Sequence, residues 1–146
     1  MMVIKYLFLG FIFLMTACTD QNNTDNQTNW QLSRTIEVDG IKVYGKEDRL
    51  VFMPQGESDI SKGGHFSIYF WGKPEEIADK YKLIGIHKDS GTKQTLYPDW
   101  EVSKTENELG ADAQSGAKYI LDKKGMWRLE VYMGDEYFDS IVVKAT

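Results

Sequence analysis

Hydrophobic and polar positions divide the 146-residue chain into three unequal stretches. Residues 6–17, "YLFLGFIFLMTA", carry no charge and follow a single cation, Lys5. Residues 19–29, "TDQNNTDNQTN", contain no apolar side chain. From Trp30 onward, short β-branched and aromatic runs alternate with polar positions and recur roughly every eight to twelve residues, the spacing of an all-β sandwich. Strands are predicted over 35–38, 41–44, 49–53, 65–71, 82–88, 93–97, 118–121, 127–133 and 136–144. Turns at "VDGI", "KDSGT" and "YPDW" supply Gly, Asp or Pro where a chain reversal needs them. One short helical turn is predicted at "KPEEIADK", with Pro74 suited to the first helical position and Glu75 and Glu76 to its positive end.

Two stretches carry more detail. In "GMWRLEVYMGDEYFDSIVV", Gly134-Asp135 reads as a two-residue turn. That register sets Val131 opposite Phe138, Leu129 opposite Ser140 and Trp127 opposite Val142 on an apolar face. Tyr132 then opposes Tyr137 on the other face, and Glu130 opposes Asp139. Two facing carboxylates need compensation. A cation site or an acid–base pair would supply it; so would Arg128, a diagonal neighbour, and that is the expectation. In "HFSIYFW", Phe66, Ile68 and Phe70 belong to the core. His65, Ser67, Tyr69 and Trp71 face the other way, too aromatic for a bare wet surface. The long polar segment 98–117 is expected to cover them, with Trp100 and Leu109 tucked against the sheet.

The leader changes the picture from a plain domain to an exported one. A cation followed by about a dozen apolar residues is the layout of a secretory signal peptide, and it falls short of the roughly 20 residues a membrane span needs. Small Thr16 and Ala17 precede Cys18, the only cysteine. This resembles the bacterial lipobox, in which the cysteine sulfur receives a diacylglycerol and becomes the first mature residue. A thiolate is the side chain suited to that thioether, and two acyl chains hold a protein where one does so marginally. Three segments are therefore expected: 1–17 a lipoprotein signal peptide, 18–29 the lipidated Cys18 and a disordered tether with a span of roughly 18 Å, and 30–146 one domain of ordinary size. Without a disulfide partner, that domain must rest on its core alone.

Composition narrows the chemistry. Seventeen Lys and Arg against 22 Asp and Glu give a formal charge of −5, and loss of Lys5 with the leader takes it to −6. An acidic domain argues against nucleic acid and against added electrostatic attachment to anionic lipid. No Gly-x-Ser-x-Gly elbow, phosphate-binding glycine loop or dinucleotide fingerprint occurs. His65 and His87 could meet Asp112 around zinc, but without HxH or HExxH spacing. Glu101, Glu106, Glu108 and Asp112 are too loosely spaced for a calcium loop. No cofactor is expected, and the chain does not read as an enzyme.

The stretches "FWGKPEE" (70–76), "LGADAQS" (109–115), "KGMWRLEVY" (124–132) and "SIVV" (140–143) resemble a family of small Bacillus-type lipoproteins that carries a domain-of-unknown-function label. The likeness spans residues 66–143. The Gly-x-Trp-x-Leu-x-Val-Tyr strand also resembles the next-to-last strand of many bacterial immunoglobulin-like domains. The resemblance implies an immunoglobulin-like antiparallel β-sandwich on a Gram-positive surface, and no activity. The expectation is a lipid-anchored extracytoplasmic binding module, using Tyr69, Trp71, Tyr132 and Tyr137 toward a protein, cell-wall or small-molecule partner. An immunoglobulin-like protease inhibitor projecting segment 98–117, or a metal-dependent enzyme built on His65 and His87, would be the other classes.

Overall fold

The computed structural model describes residues 29–146; the leader and all but the last residue of the expected tether lie outside them. Nine strands follow one another: β1 (Arg34–Val38), β2 (Ile41–Lys46), β3 (Leu50–Pro54), β4 (Gly63–Phe70), β5 (Lys80–His87), β6 (Lys93–Glu101), β7 (Ala113–Ile120), β8 (Gly125–Met133) and β9 (Glu136–Ala145). Among the described residues the single helical element is a 3-10 turn, Pro74–Glu76, where "KPEE" predicts one. Two antiparallel sheets result, ordered β1-β2-β3-β4-β7 and β6-β5-β8-β9.

The strands from β3 to β9 form the seven-strand immunoglobulin-like key. The second and fifth of them pair on one sheet (β4 with β7). The third, sixth and seventh run side by side on the other (β5, β8, β9). The β1–β2 hairpin is an addition, widening the first sheet beyond β3.

Alternation sends one side of each strand into a shared core. Phe52, Phe66, Ile68 and Phe70 of the first sheet meet Tyr81, Leu83, Trp127 and Leu129 of the second, all at most 2% exposed. Full burial of such side chains is worth about 1.5–3 kcal/mol each before entropy is counted. Close approach is built in at Gly85, where a Cβ would stand 2.7 Å from a Leu96 methyl and 3.2 Å from the Trp127 ring.

The C-terminal hairpin departs from its expected register after one turn. Tyr132 pairs with Tyr137 as predicted, but Val131 pairs with Asp139, Leu129 with Ile141 and Trp127 with Val143. Phe138 is the extra residue of a β-bulge. A straight register would bury Ser140 against Leu129. The bulge keeps Phe138 inside and brings Ile141 and Val143 in behind it, an entirely apolar set. It also changes the partners of the carboxylates. Glu130 faces Ser140, and Asp139 turns to Lys46 and Arg49 instead. Arg128 sits 3.6 Å from Glu130, so the cation expected to compensate does so for one carboxylate alone.

Segment 98–117 is shorter as a loop than the sequence suggests. β6 runs on to Glu101 through Pro98, which an edge strand with shifted register tolerates because its outer N–H has no ladder partner to lose. β7 starts at Ala113, five residues before the predicted strand. Its run "AQSGA" has weak strand propensity, yet it pairs with all of β4. The true loop is 102–112.

Candidate functional site

Loop 102–112 folds back across the outer face of the first sheet. Asn107 organises it: its side-chain oxygen accepts from the backbone N–H of Leu109 (3.3 Å) and Ala111 (3.0 Å), and its amide donates to the Ala111 carbonyl (2.9 Å). Two further ties fix its ends. Ser103 and Gln114 exchange backbone hydrogen bonds of 2.8 Å, and Gly72 N–H donates to the Asp112 carboxylate at 2.9 Å. Leu109 and Ala111 pack on Val43, Val51, Met53 and Tyr69, making a second small core outside the sandwich.

Tyr69 is therefore fully buried, and its hydroxyl donates to the Glu108 carboxylate. That bond holds Glu108 below the usual carboxylate range. Burial, reinforced by Glu108, pushes the tyrosine up. The cover expected over "HFSIYFW" is in place. Tyr69 works as its pin, which removes it from the set of residues able to touch a partner. Trp71, the other aromatic of that face, stays half-buried.

Beside Trp71 the cover is incomplete. A groove of about 220 Å³ lies between the loop and the β1–β2 hairpin. Ile36, Val38 and Val51 line its floor, and Trp71 and Leu109 its walls. Three carboxylates, Glu47, Asp48 and Glu108, stand around it. Among the described residues none of the three takes part in an ion pair. Lys46 and Arg49, which flank two of them in sequence, are committed to Asp139 and Glu76.

Tyr132 and Tyr137 lie on the opposite side of the molecule, on the outer face of the second sheet. Their rings meet edge to face at 5.7 Å. Each hydroxyl is used locally: Tyr132 donates to Glu130 (3.3 Å) and Tyr137 to Ser140 (3.0 Å). Burial raises both above the ordinary tyrosine value. The four expected contact aromatics thus occupy two separate faces, and the hydroxyls of three of them, Tyr69, Tyr132 and Tyr137, are taken by the protein's own polar groups. Trp100 reverses its expectation. It stands on β6 with half its surface in solvent, its ring tilted against that of Tyr97 at 5.7 Å, because the strand continues through Pro98 and carries it off the sheet face.

The histidines do not converge. His65 is exposed on β4. His87 is buried at the end of β5, its ring nitrogens bonded to Ser90 Oγ (2.7 Å) and the Lys124 carbonyl (2.8 Å), its face against Trp127. Among the described residues no three His, Cys, Asp or Glu side chains gather in a metal-binding group. Nor does the loop project as an inhibitor's would; it is packed down onto the sheet. No helix among the described residues is long and apolar enough to cross a membrane.

An antiparallel immunoglobulin-like sandwich with an added hairpin and a strapped outer groove defines the class. The chain belongs to the family whose description is "Domain of unknown function (DUF4871)", which matches residues 21–143. In structure it is similar to a crystallised protein from Bacillus anthracis, described as a candidate lipoprotein. The TM-score is 0.57 at 18% identity, over 81% of this chain and 87% of that one. No curated protein matches the chain.

Proposed function

We propose that this protein is a lipid-anchored, extracytoplasmic binding module, attached to the membrane through Cys18 and engaging a partner through the groove at Trp71. The observation that carries the binding role is the groove itself. It offers an indole, apolar side chains and carboxylates that take part in no ion pair among the described residues, in one concavity beside a loop that is itself pinned. Sites for ligands are concave and mostly apolar, with few polar groups setting orientation. Trp is the residue most often found at binding hot spots. The anchor rests on the leader: Lys5, the uncharged run 6–17, and Thr16-Ala17-Cys18. The lipoprotein description of the Bacillus anthracis neighbour agrees with it. Tethered by a dozen polar residues, the domain would work near the membrane surface, on a protein or on cell-wall material.

Two measurements test the two halves. Growth with an alkyne-bearing fatty acid should label the wild-type protein and leave Cys18→Ser unlabelled and released from the membrane. A photo-crosslinking side chain at position 109, in living cells, should capture a discrete partner identified by mass spectrometry. Products confined to the domain itself would remove the groove from consideration.

A further inference from the structure

We infer that the groove at Trp71 receives a single basic side chain, lysine or arginine, from a partner polypeptide. This rests on the binding role proposed above and names the chemistry that the same site would select. Size is the first argument. At about 220 Å³ the groove is smaller than the roughly 300–1,000 Å³ that encloses a drug-sized ligand. One long side chain fits; an extended molecule does not.

Polarity is the second argument. The floor of Ile36, Val38 and Val51 suits a methylene stem, while Glu47, Asp48 and Glu108 ask for a cation at the end of it. Lysine and arginine carry that combination, an apolar stem with a charged head. Trp71 adds an indole, the best of the aromatic faces for a cation. Charge complementarity is the third argument. Lys46 and Arg49 are sequence neighbours of Glu47 and Asp48 and could neutralise them, yet both are turned toward β9 and the 3-10 turn. The charge at the groove is left for something else to meet.

The test uses the full chain, purified in detergent with nitrogen-15 tryptophan, whose four indole N–H signals include one assigned to Trp71 through Trp71→Phe. N-acetyl-arginine amide and N-acetyl-lysine amide are titrated against N-acetyl-norleucine amide, which has the stem without the charge. A cationic probe should move the Trp71 signal saturably, and the norleucine probe should not. Glu47→Gln combined with Asp48→Asn should weaken the cation at least about fivefold. Both residues are exposed, and Asn is well suited to the positive φ of 56° at position 48, so the fold should survive; an unchanged melting temperature checks this. An unmoved Trp71 signal, equal response to norleucine, or undiminished affinity in the double variant would overturn the inference. A partner captured at position 109 alongside any of these results would leave the binding role standing and the basic side chain wrong. Failure of both would end both.

Discussion

Tyr69, one residue from the C-terminal end of β4, donates its hydroxyl hydrogen to Glu108, 39 residues further along the chain in the loop. The tyrosine is fully buried and the glutamate exposed, so one bond joins the interior of the sheet to the surface cover. Tyr69→Phe keeps the ring and removes the tie. Because Glu108 is solvated, the global cost should fall below the usual range for a bond to a charged group, at about 1 kcal/mol by chemical denaturation. The local effect should be larger: amides of residues 105–111 should exchange with solvent markedly faster, while those of β4 do not.

The same bond gives the loop a pH dependence with a defined sign. Glu108 titrates lower in the folded protein than in the unfolded chain, chiefly because Tyr69 donates to it. Its contribution is therefore complete above the ordinary glutamate pKa of 4.5 and is lost as pH falls through the lower folded value. Loop protection factors, taken relative to the intrinsic exchange rate at each pH, should fall on acidification in the region below pH 4.5. Glu108→Gln should flatten that dependence, read by hydrogen exchange at a series of pH values.

Gly45 on β2 is irreplaceable for a different reason. Its φ is +140°, and a Cβ there would lie 2.1 Å from the Leu50 carbonyl oxygen. The obstacle is backbone, so no side-chain rotation relieves it. Gly45→Ala should destabilise the fold by at least about 2–3 kcal/mol, strain and clash together. Urea denaturation gives the number.

Arg128 and Glu130 are both nearly buried, and Arg128 Nε and Nη1 lack hydrogen-bond partners. Trp30 lies over the guanidinium, 4.7 Å from its central carbon. Such a pair is poor evidence of net stability, but removing one member strands the other. Arg128→Met alone should cost about 3–5 kcal/mol, whereas Arg128→Met with Glu130→Leu should recover most of it. A double-mutant cycle in melting experiments measures the difference.

What could be read from the chain beforehand was whatever local alternation specifies. "HFSIYFW" assigns Phe66, Ile68 and Phe70 to the core by period two alone, and it announces a covered outer face because Tyr69 and Trp71 sit on it. The tyrosine pair at the C-terminal turn follows from Gly134-Asp135. What escaped depends on tertiary contact. The bulge at Phe138 arises because a core opposite Leu129 prefers Ile141 to Ser140, a comparison the local pattern does not display. β7 is a strand because β4 offers it a full ladder, against its own composition. The groove joins residues 36–51 with 71 and 108–109, and a sequence pattern gives no distance between them.

Ser33 and Val142 trade two hydrogen bonds, the Val142 carbonyl accepting from the Ser33 N–H at 3.0 Å and the Ser33 hydroxyl accepting from the Val142 N–H at 2.9 Å. Val142 belongs to β9, the terminal strand of its sheet and, at ten residues, as good a template as any in the molecule for recruiting a stranger. One serine, arriving from the amino-terminal side, fills the middle of that template. A second copy approaching along β9 would find the Val142 N–H and C=O already taken, so the chain entering the fold acts as a gatekeeper at that edge.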